Sequence, residues 1–198
     1  MSGPVLKFLN VGGSSKTIPL PECFDGWQHD LLDIDPRGKP DILCDARELW
    51  RLPPRVYDAV YCAHNLEHYY RHDVYRVLKG ISLVLKKSGF AYITVPDLLS
   101  VMKPVVEDGL DIDDVLYQSR SGPILVRDVL YGYHVEIEKT GQDYYSHKTG
   151  FTEKALITTL GNCGFQVAFT GNFGKLYEVS ALAFLQPPTD FHKKLLGI

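Results

Sequence analysis

Apolar positions along the chain follow two rhythms. Short, nearly continuous apolar runs read as buried strands: Lys7 to Val11, Asp30 to Ile34 ("DLLDI"), Asp41 to Cys44 ("DILC"), Asp58 to Ala63 ("DAVYCA") after the Pro53-Pro54 break, and Phe90 to Val95 ("FAYITV"), ended by Pro96. From Asp73 to Lys87 the rhythm changes, and Val74, Val77, Leu78, Ile81, Val84 and Leu85 recur at helical spacing. Lys86 and Lys87 suit the negative end of that helix, and Gly89 is its expected stop. A second helix is expected from a Thr152 cap through Asn162, with Phe151, Ala155, Leu156 and Leu160 inward and Gly164 as terminator. Phe165 to Thr170 and Glu178 to Leu185 read as a closing strand pair. Strands of this kind alternating with helices predict an α/β sheet covered on both faces.

The stretch from Leu98 to Gly150 breaks the alternation. Its 53 residues exceed a plain crossover. The expectation is therefore a single domain over residues 1–198, with 98–150 as an insertion over the mouth of the site. Met102, the neighbouring Leu and Val residues and Val115-Leu116 are assigned to its core.

Composition narrows the function. The 198 residues are 45% hydrophobic and carry a formal charge of −3, which fits one domain with a full core. No lysine/arginine run offers a nucleic-acid surface. Cys23, Cys44, Cys62 and Cys163 form no C-x-x-C pair, so neither a zinc knuckle nor a redox dithiol is indicated. Without a signal-peptide pattern or an apolar run of membrane-spanning length, the chain is expected to be cytoplasmic.

Candidate chemistry gathers where the strands end, because ligands of such sheets bind at the carboxyl ends. The first strand runs into "FLNVGGSSKT", a turn that lets a ligand approach backbone. It is not a phosphate loop, since Lys16-Thr17 follow Ser15 rather than glycine, and it is not G-x-G-x-x-G, since Ser14 and Thr17 hold the later glycine places. Pro19 and Pro21 also oppose the phosphate-binding helix that both motifs need. The second strand ends in Asp33, the third in Asp45 and the fourth in Ala63-His64-Asn65. A carboxylate in the second place can accept both hydroxyls of a ribose, and one in the third can read an exocyclic adenine amine. Together they describe a nucleoside site without a phosphate grip.

The stretch "FLNVGGSSKT … LLDIDP … PDILCDARELWRLP … YDAVYCAHNLEHY … VLKKSGFAYITVPDL" resembles the class I S-adenosylmethionine-dependent methyltransferases, in particular a small bacterial group of methyltransferase type 11-like proteins. The likeness covers roughly residues 6 to 97 and extends more weakly to "HKTGFTEKALITTLGNCGF". It implies a Rossmann-like α/β fold with a mostly parallel seven-stranded sheet, an antiparallel last strand and helices on both faces. It also implies S-adenosylmethionine as cofactor. The glycine loop (Asn10, Gly12, Gly13) would hold it, with the ribose on Asp33 beside Ile34, the adenine near Asp45-Ala46, and Ala63-His64 beneath the methionine part. The chain departs from the family at Asn10, where an acidic residue is usual, and at Ser14, where a glycine is usual.

The implied reaction is O- or N-methylation of a small-molecule or glycan-related acceptor. The acceptor pocket is expected from the insertion, rich in Tyr117, Tyr131, Tyr133, Tyr144, Tyr145, His134 and His147. Of these, His147, Tyr144 and His134 are the catalytic candidates. His147 stands in "HKTGF", and a histidine there can serve as a base near neutral pH or bond a nearby backbone group. His64, His68 and His72 at a spacing of four could be read as a metal site on one helix face, but the run "HNLEHYYRH" matches the family's ordinary helix start, and no metal is expected. The fourth strand ends in "AHNLEH" rather than an Asn/Asp-Pro-Pro-aromatic stretch, which disfavours methylation of nucleic-acid bases. No nucleic-acid or membrane partner is expected, and a homodimer is the assembly left open. The rival of another class is a non-catalytic module, or partner subunit, that binds adenosylmethionine or adenosylhomocysteine.

Overall fold

The computed structural model describes residues 5–119, 122–173 and 175–198. Seven strands form the main sheet: β1 (Lys7–Val11), β2 (Gln28–Asp33), β3 (Ile42–Leu43), β4 (Tyr57–Ala63), β5 (Leu85–Pro96), β8 (Val167–Gly171) and β9 (Glu178–Phe184). Their spatial order is β3-β2-β1-β4-β5-β9-β8. The first five pair in parallel, and β9 runs antiparallel between β5 and β8. The order reverses between β1 and β4, which opens a crevice at their carboxyl ends.

Residues alternate across the sheet and build a core on each side. On one face Leu9, Val11, Val60 and Cys62 pack under α1 (Arg71–Val84) and α5 (Glu153–Asn162), which contribute Val77, Leu78, Ile81, Leu156 and Leu160. On the other, Phe8, Ala59, Phe90, Leu182 and Phe184 pack with Phe24 and with Leu195 and Leu196 of α6 (Asp190–Leu196), a helix the sequence pattern did not announce. Phe24 sits on a single 3-10 turn, Glu22–Phe24, where a crossover helix would otherwise lie, and its ring stacks 4.5 Å from Phe8. One aromatic ring thus covers part of the sheet that Pro19 and Pro21 leave without a helix.

Three expectations need correction. Helix α1 ends at Val84, not Lys87, and Gly89 lies inside β5. Leu85 keeps the helical spacing but pairs with Tyr57, because Arg55 and Val56 donate their N–H groups to the carbonyls of Leu83 and Val84 and turn the helix end into sheet. Lys86 accordingly reaches Asp58 at 2.8 Å instead of the helix end. Ala155 points outward; only Phe151, Leu156 and Leu160 of the four face the core. Met102 and Val115 are exposed, and the small core between β5 and α5 is made by Val101, Leu116, Val126 and Val129.

That intervening stretch folds as α2 (Leu98–Glu107), a hairpin of β6 (Val115–Ser119) and β7 (Gly122–Leu125), then α3 (Val126–Tyr131), α4 (His134–Thr140) and a 3-10 turn at Asp143–Tyr145. Its return to the sheet is pinned by Lys148 and Thr149, whose N–H groups donate to the Glu67 carbonyl at 2.8 and 3.2 Å.

Candidate active site

A cavity of about 620 Å³ opens along the carboxyl ends of β1 to β4. Its floor begins at Gly12, whose φ of +71° favours glycine. A side chain there would have no room, since a Cβ on Gly12 would lie 2.0 Å from the Asn65 amide and one on Gly13 would lie 2.2 Å from the Asn10 amide. Asn10 is itself buried, and its Oδ1 has no hydrogen-bond partner among the described residues, which leaves an acceptor beneath the loop. Ser14 follows at φ +58°, a left-handed conformation that favours glycine.

Asp33, at the end of β2, shapes the loop as well as facing the cavity. Its Oδ2 accepts from the Ser14 N–H and its Oδ1 from the Asp35 N–H, both at 2.8 Å. Asp45 caps the 3-10 turn at Ala46–Arg51 and is gripped by the Arg47 guanidinium, which also reaches Asp73. Burial alone would raise the Asp45 pKa, but the Arg47 hydrogen bonds outweigh it and hold the carboxyl below its ordinary value.

The far wall comes from the stretch before α5. The Tyr145 hydroxyl donates to Asp35 Oδ2 at 2.8 Å and also contacts Arg37, while Arg37 forks onto Asp35. Tyr144 and Lys148 line the same wall. The Arg37 hydrogen bonds hold Asp35 far below the usual carboxylate range.

A second cavity of about 310 Å³ lies beside the first. The two share His64, His68 and Tyr145, so these side chains form the partition. The smaller chamber adds aromatic and aliphatic walls from Tyr117, Tyr133, Val129 and Tyr177 to a row of proton acceptors, Glu67, Asp128, His147 and Glu178. Tyr117 and Tyr177 stack at 5.7 Å. His64 adopts φ +48° and sends Nε2 to Glu178 at 3.0 Å and Nδ1 toward Glu67 at 3.5 Å. Burial would lower the His64 pKa, but these two carboxylates raise it to about 10, so the ring is a cation at neutral pH.

The structure brings Asn10, Gly12, Gly13, Asp33, Ile34, Asp45, Ala63 and His64 to the large cavity, while Ala46 sits behind it in the core. Of the catalytic candidates, Tyr144 faces the large chamber and His147 the small one. His134 lines neither and is bonded through Nδ1 to Asp128, a contact that raises its pKa. The His64, His68 and His72 set is not assembled on one helix: His64 is in a turn, His68 ends the 3-10 turn Leu66–His68, and the exposed His72 ring lies 3.6 Å from Asp73. Sequence reasoning missed Glu178, whose only signal was an acid opening an otherwise apolar strand.

The residues fit a nucleoside-bearing cofactor: a cradle that a Cβ would fill, a buried acceptor at Asn10, a strand-end carboxylate at Asp33 and a chamber of matching scale. Residues 30–93 match the family described as methyltransferase domain. Solved structures with the same fold include a SAM-dependent methyltransferase from Archaeoglobus fulgidus (14% identity, TM-score 0.57, 90% of this chain and 86% of that one) and an S-adenosylmethionine-dependent methyltransferase from Mesorhizobium loti (13%, 0.56, 90% and 90%). A third is 1,6-didemethyltoxoflavin-N1-methyltransferase from Burkholderia thailandensis, solved with 1,6-didemethyltoxoflavin and S-adenosylhomocysteine (14%, 0.50, 90% and 70%). No curated protein matches the chain. Among the described residues no helix is long and apolar enough to cross a membrane. The chain thus has the fold of class I S-adenosylmethionine-dependent methyltransferases, and its segment from β2 to β5 matches the methyltransferase-domain family.

Proposed function

We propose that the chain methylates a hydroxyl or amine of a small polar molecule, sugar and glycan precursors included, seated in the 310 Å³ chamber. The observation that carries this reading is the shared partition: His64, His68 and Tyr145 border both chambers, so a donor in one and an acceptor in the other meet there. The likeness in fold to a methyltransferase solved with a nucleoside product and a small acceptor together supports the same use of two chambers.

In this reading Asn10, Gly12 and Gly13 hold the amino-acid end of adenosylmethionine, Asp33 the ribose hydroxyls, and Ile34 and Asp45 the adenine. Bound there, adenosylmethionine supplies a methyl group already activated on a sulfonium. The chain's own work is alignment, which can contribute on the order of 7–11 kcal/mol, and removal of the acceptor's proton. Residues 98–150 close the mouth through Tyr145 and Asp35 and keep water from the partition. The Tyr117, Tyr133 and Tyr177 rings hold the acceptor, and its proton passes to the buried acceptors beside them, Glu67, His68 and His147. Tyr144 steadies the cofactor side, and His134 supports Asp128 rather than meeting substrate.

Calorimetry with adenosylmethionine and adenosylhomocysteine, followed by labelled-methyl transfer into a metabolite extract, tests this. Expected are one site for each nucleoside and label in a small molecule. Tight binding of both with no labelled product from any extract would instead favour the non-catalytic binding module.

A further inference from the structure

Glu67 is 1% exposed, and neither of its carboxylate oxygens has a hydrogen-bond partner among the described residues. The nearest recorded cation, His64, stands at 3.5 Å, beyond hydrogen-bonding distance. The His64 cation offsets the charge of this buried carboxylate, yet both oxygens keep lone pairs that no hydrogen bond fills. Two imidazoles face the same spot. His68 Nδ1 lies 3.2 Å from the Ser146 carbonyl and His147 Nδ1 lies 2.8 Å from the Val129 carbonyl. A carbonyl only accepts, so each Nδ1 carries the proton and donates it, which leaves each Nε2 lone pair bare. The rings sit 4.8 Å apart at 73°, and the ligating atoms of Glu67, His68 and His147 all lie within 4.8 Å of one another.

The two backbone carbonyls do more than fix tautomers. A histidine that ligates a metal ordinarily donates its other ring N–H to a carbonyl or carboxylate, which sets the ring's orientation and raises its basicity. Both histidines already have that support. The frame is rigid too, since the Lys148 and Thr149 N–H groups bind the Glu67 carbonyl and the His147 N–H binds that of Tyr131. All three side chains line the small chamber.

We propose that Glu67, His68 and His147 form a binding site for one divalent transition-metal ion, Zn²⁺ by preference, with its open position facing the small chamber. Two imidazoles and one carboxylate are a donor set that suits Zn²⁺ with a fourth, exchangeable place. Bonds of about 2.0–2.2 Å put tetrahedral donors well inside the 4.8 Å that bounds their present spread, so the three side chains close onto the ion as it binds. Binding stands on this cluster alone. Its use rests on the reading of the small chamber as the acceptor pocket: an ion there would hold the acceptor's oxygen and lower its pKa, as Zn²⁺ brings water to ~7, so the acceptor would lose its proton as it binds, before the chamber closes, and the three ligands would no longer be the proton's destination. His147 then acts through the ion rather than as a free base.

The test uses the full chain, stripped with a chelator and titrated calorimetrically with Zn²⁺, with Co²⁺ substitution read by visible absorption. Expected are one ion per chain, tetrahedral Co²⁺ bands, and at least a tenfold loss of Zn²⁺ affinity in each of Glu67→Gln and His147→Ala, with His72→Ala unchanged. Glu67→Gln keeps the side chain's shape, and circular dichroism confirms that both variants fold. No stoichiometric ion in the folded wild type, or undiminished affinity in both folded variants, overturns the site, as does loss confined to His72→Ala. One Zn²⁺ bound by a chain that does not bind adenosylmethionine upholds the site and overturns only the methyl-transfer reading.

Discussion

Single residues of the large chamber carry two duties, and substitutions there will show both. Asp33 faces the proposed ribose and also accepts the Ser14 and Asp35 N–H groups. Asp33→Ala is therefore expected to weaken adenosylmethionine binding by about 1.5–3 kcal/mol, as for charge-assisted hydrogen bonds, and also to lower the melting temperature of the ligand-free chain, since two backbone donors lose their partner. Calorimetry and a thermal melt separate the effects; unchanged affinity would remove Asp33 from the ribose site. Ser14 gives the opposite sign. At φ +58° its Cβ is strained, so Ser14→Gly is expected to raise stability by about 0.5–1 kcal/mol, the relief of a left-handed residue less the extra freedom glycine gives the unfolded chain. A denaturation midpoint that fails to rise would mean the loop relaxes that strain in another way. Gly12 tolerates no such change, because a Cβ there meets Asn65 before it meets any ligand.

Elements were legible where one local cause sufficed. Thr152 followed by Ala155, Leu156 and Leu160 announced α5, and the structure finds the Thr152 hydroxyl accepting from the Ala155 N–H at 3.3 Å. Thr152→Ala is expected to cost about 1 kcal/mol, seen as a lower denaturant midpoint with an unchanged slope. The end of α1 was not legible. Leu85 satisfies helical spacing as well as Val84 does, and the pairing with Tyr57, 28 positions away in sequence, decides against it. The strand ends were readable because β1, β2 and β4 each change abruptly from apolar to Gly, Asp or His. The small chamber was not, since Glu67, Asp128, His147 and Glu178 come from four separated segments and meet through long-range contacts such as Lys148 to Glu67 and His64 to Glu178. His147 was found by its place before α5; Glu178 had no comparable marker.

At the scale of the whole molecule, the two chambers depend on one fastening between the stretch before α5 and the loop after β2: Tyr145 and Arg37 on Asp35. Because hydrogen bonds from Arg37 depress the Asp35 pKa, this fastening is fully present above the ordinary carboxylate value of about 3.9 and weakens as pH falls below it. If residues 98–150 cover the mouth as proposed, cofactor should stabilise the chain according to its affinity, by about 2.7 kcal/mol at a hundredfold excess over Kd. Tyr145→Phe keeps the ring and removes the hydroxyl's bond to Asp35, so adenosylmethionine should bind about two- to tenfold more weakly, chiefly through faster release. Asp35→Asn should lose the same grip and also flatten the acid limb: the melting-temperature difference between wild type and Asp35→Asn, constant from pH 8 to about pH 5, should shrink as pH falls below about 4. Stopped-flow release of the nucleoside and paired melts across pH measure both effects. An unaltered release rate in Tyr145→Phe would show that the large chamber is closed by other contacts, and residues 98–150 would then be a wall of the acceptor chamber only.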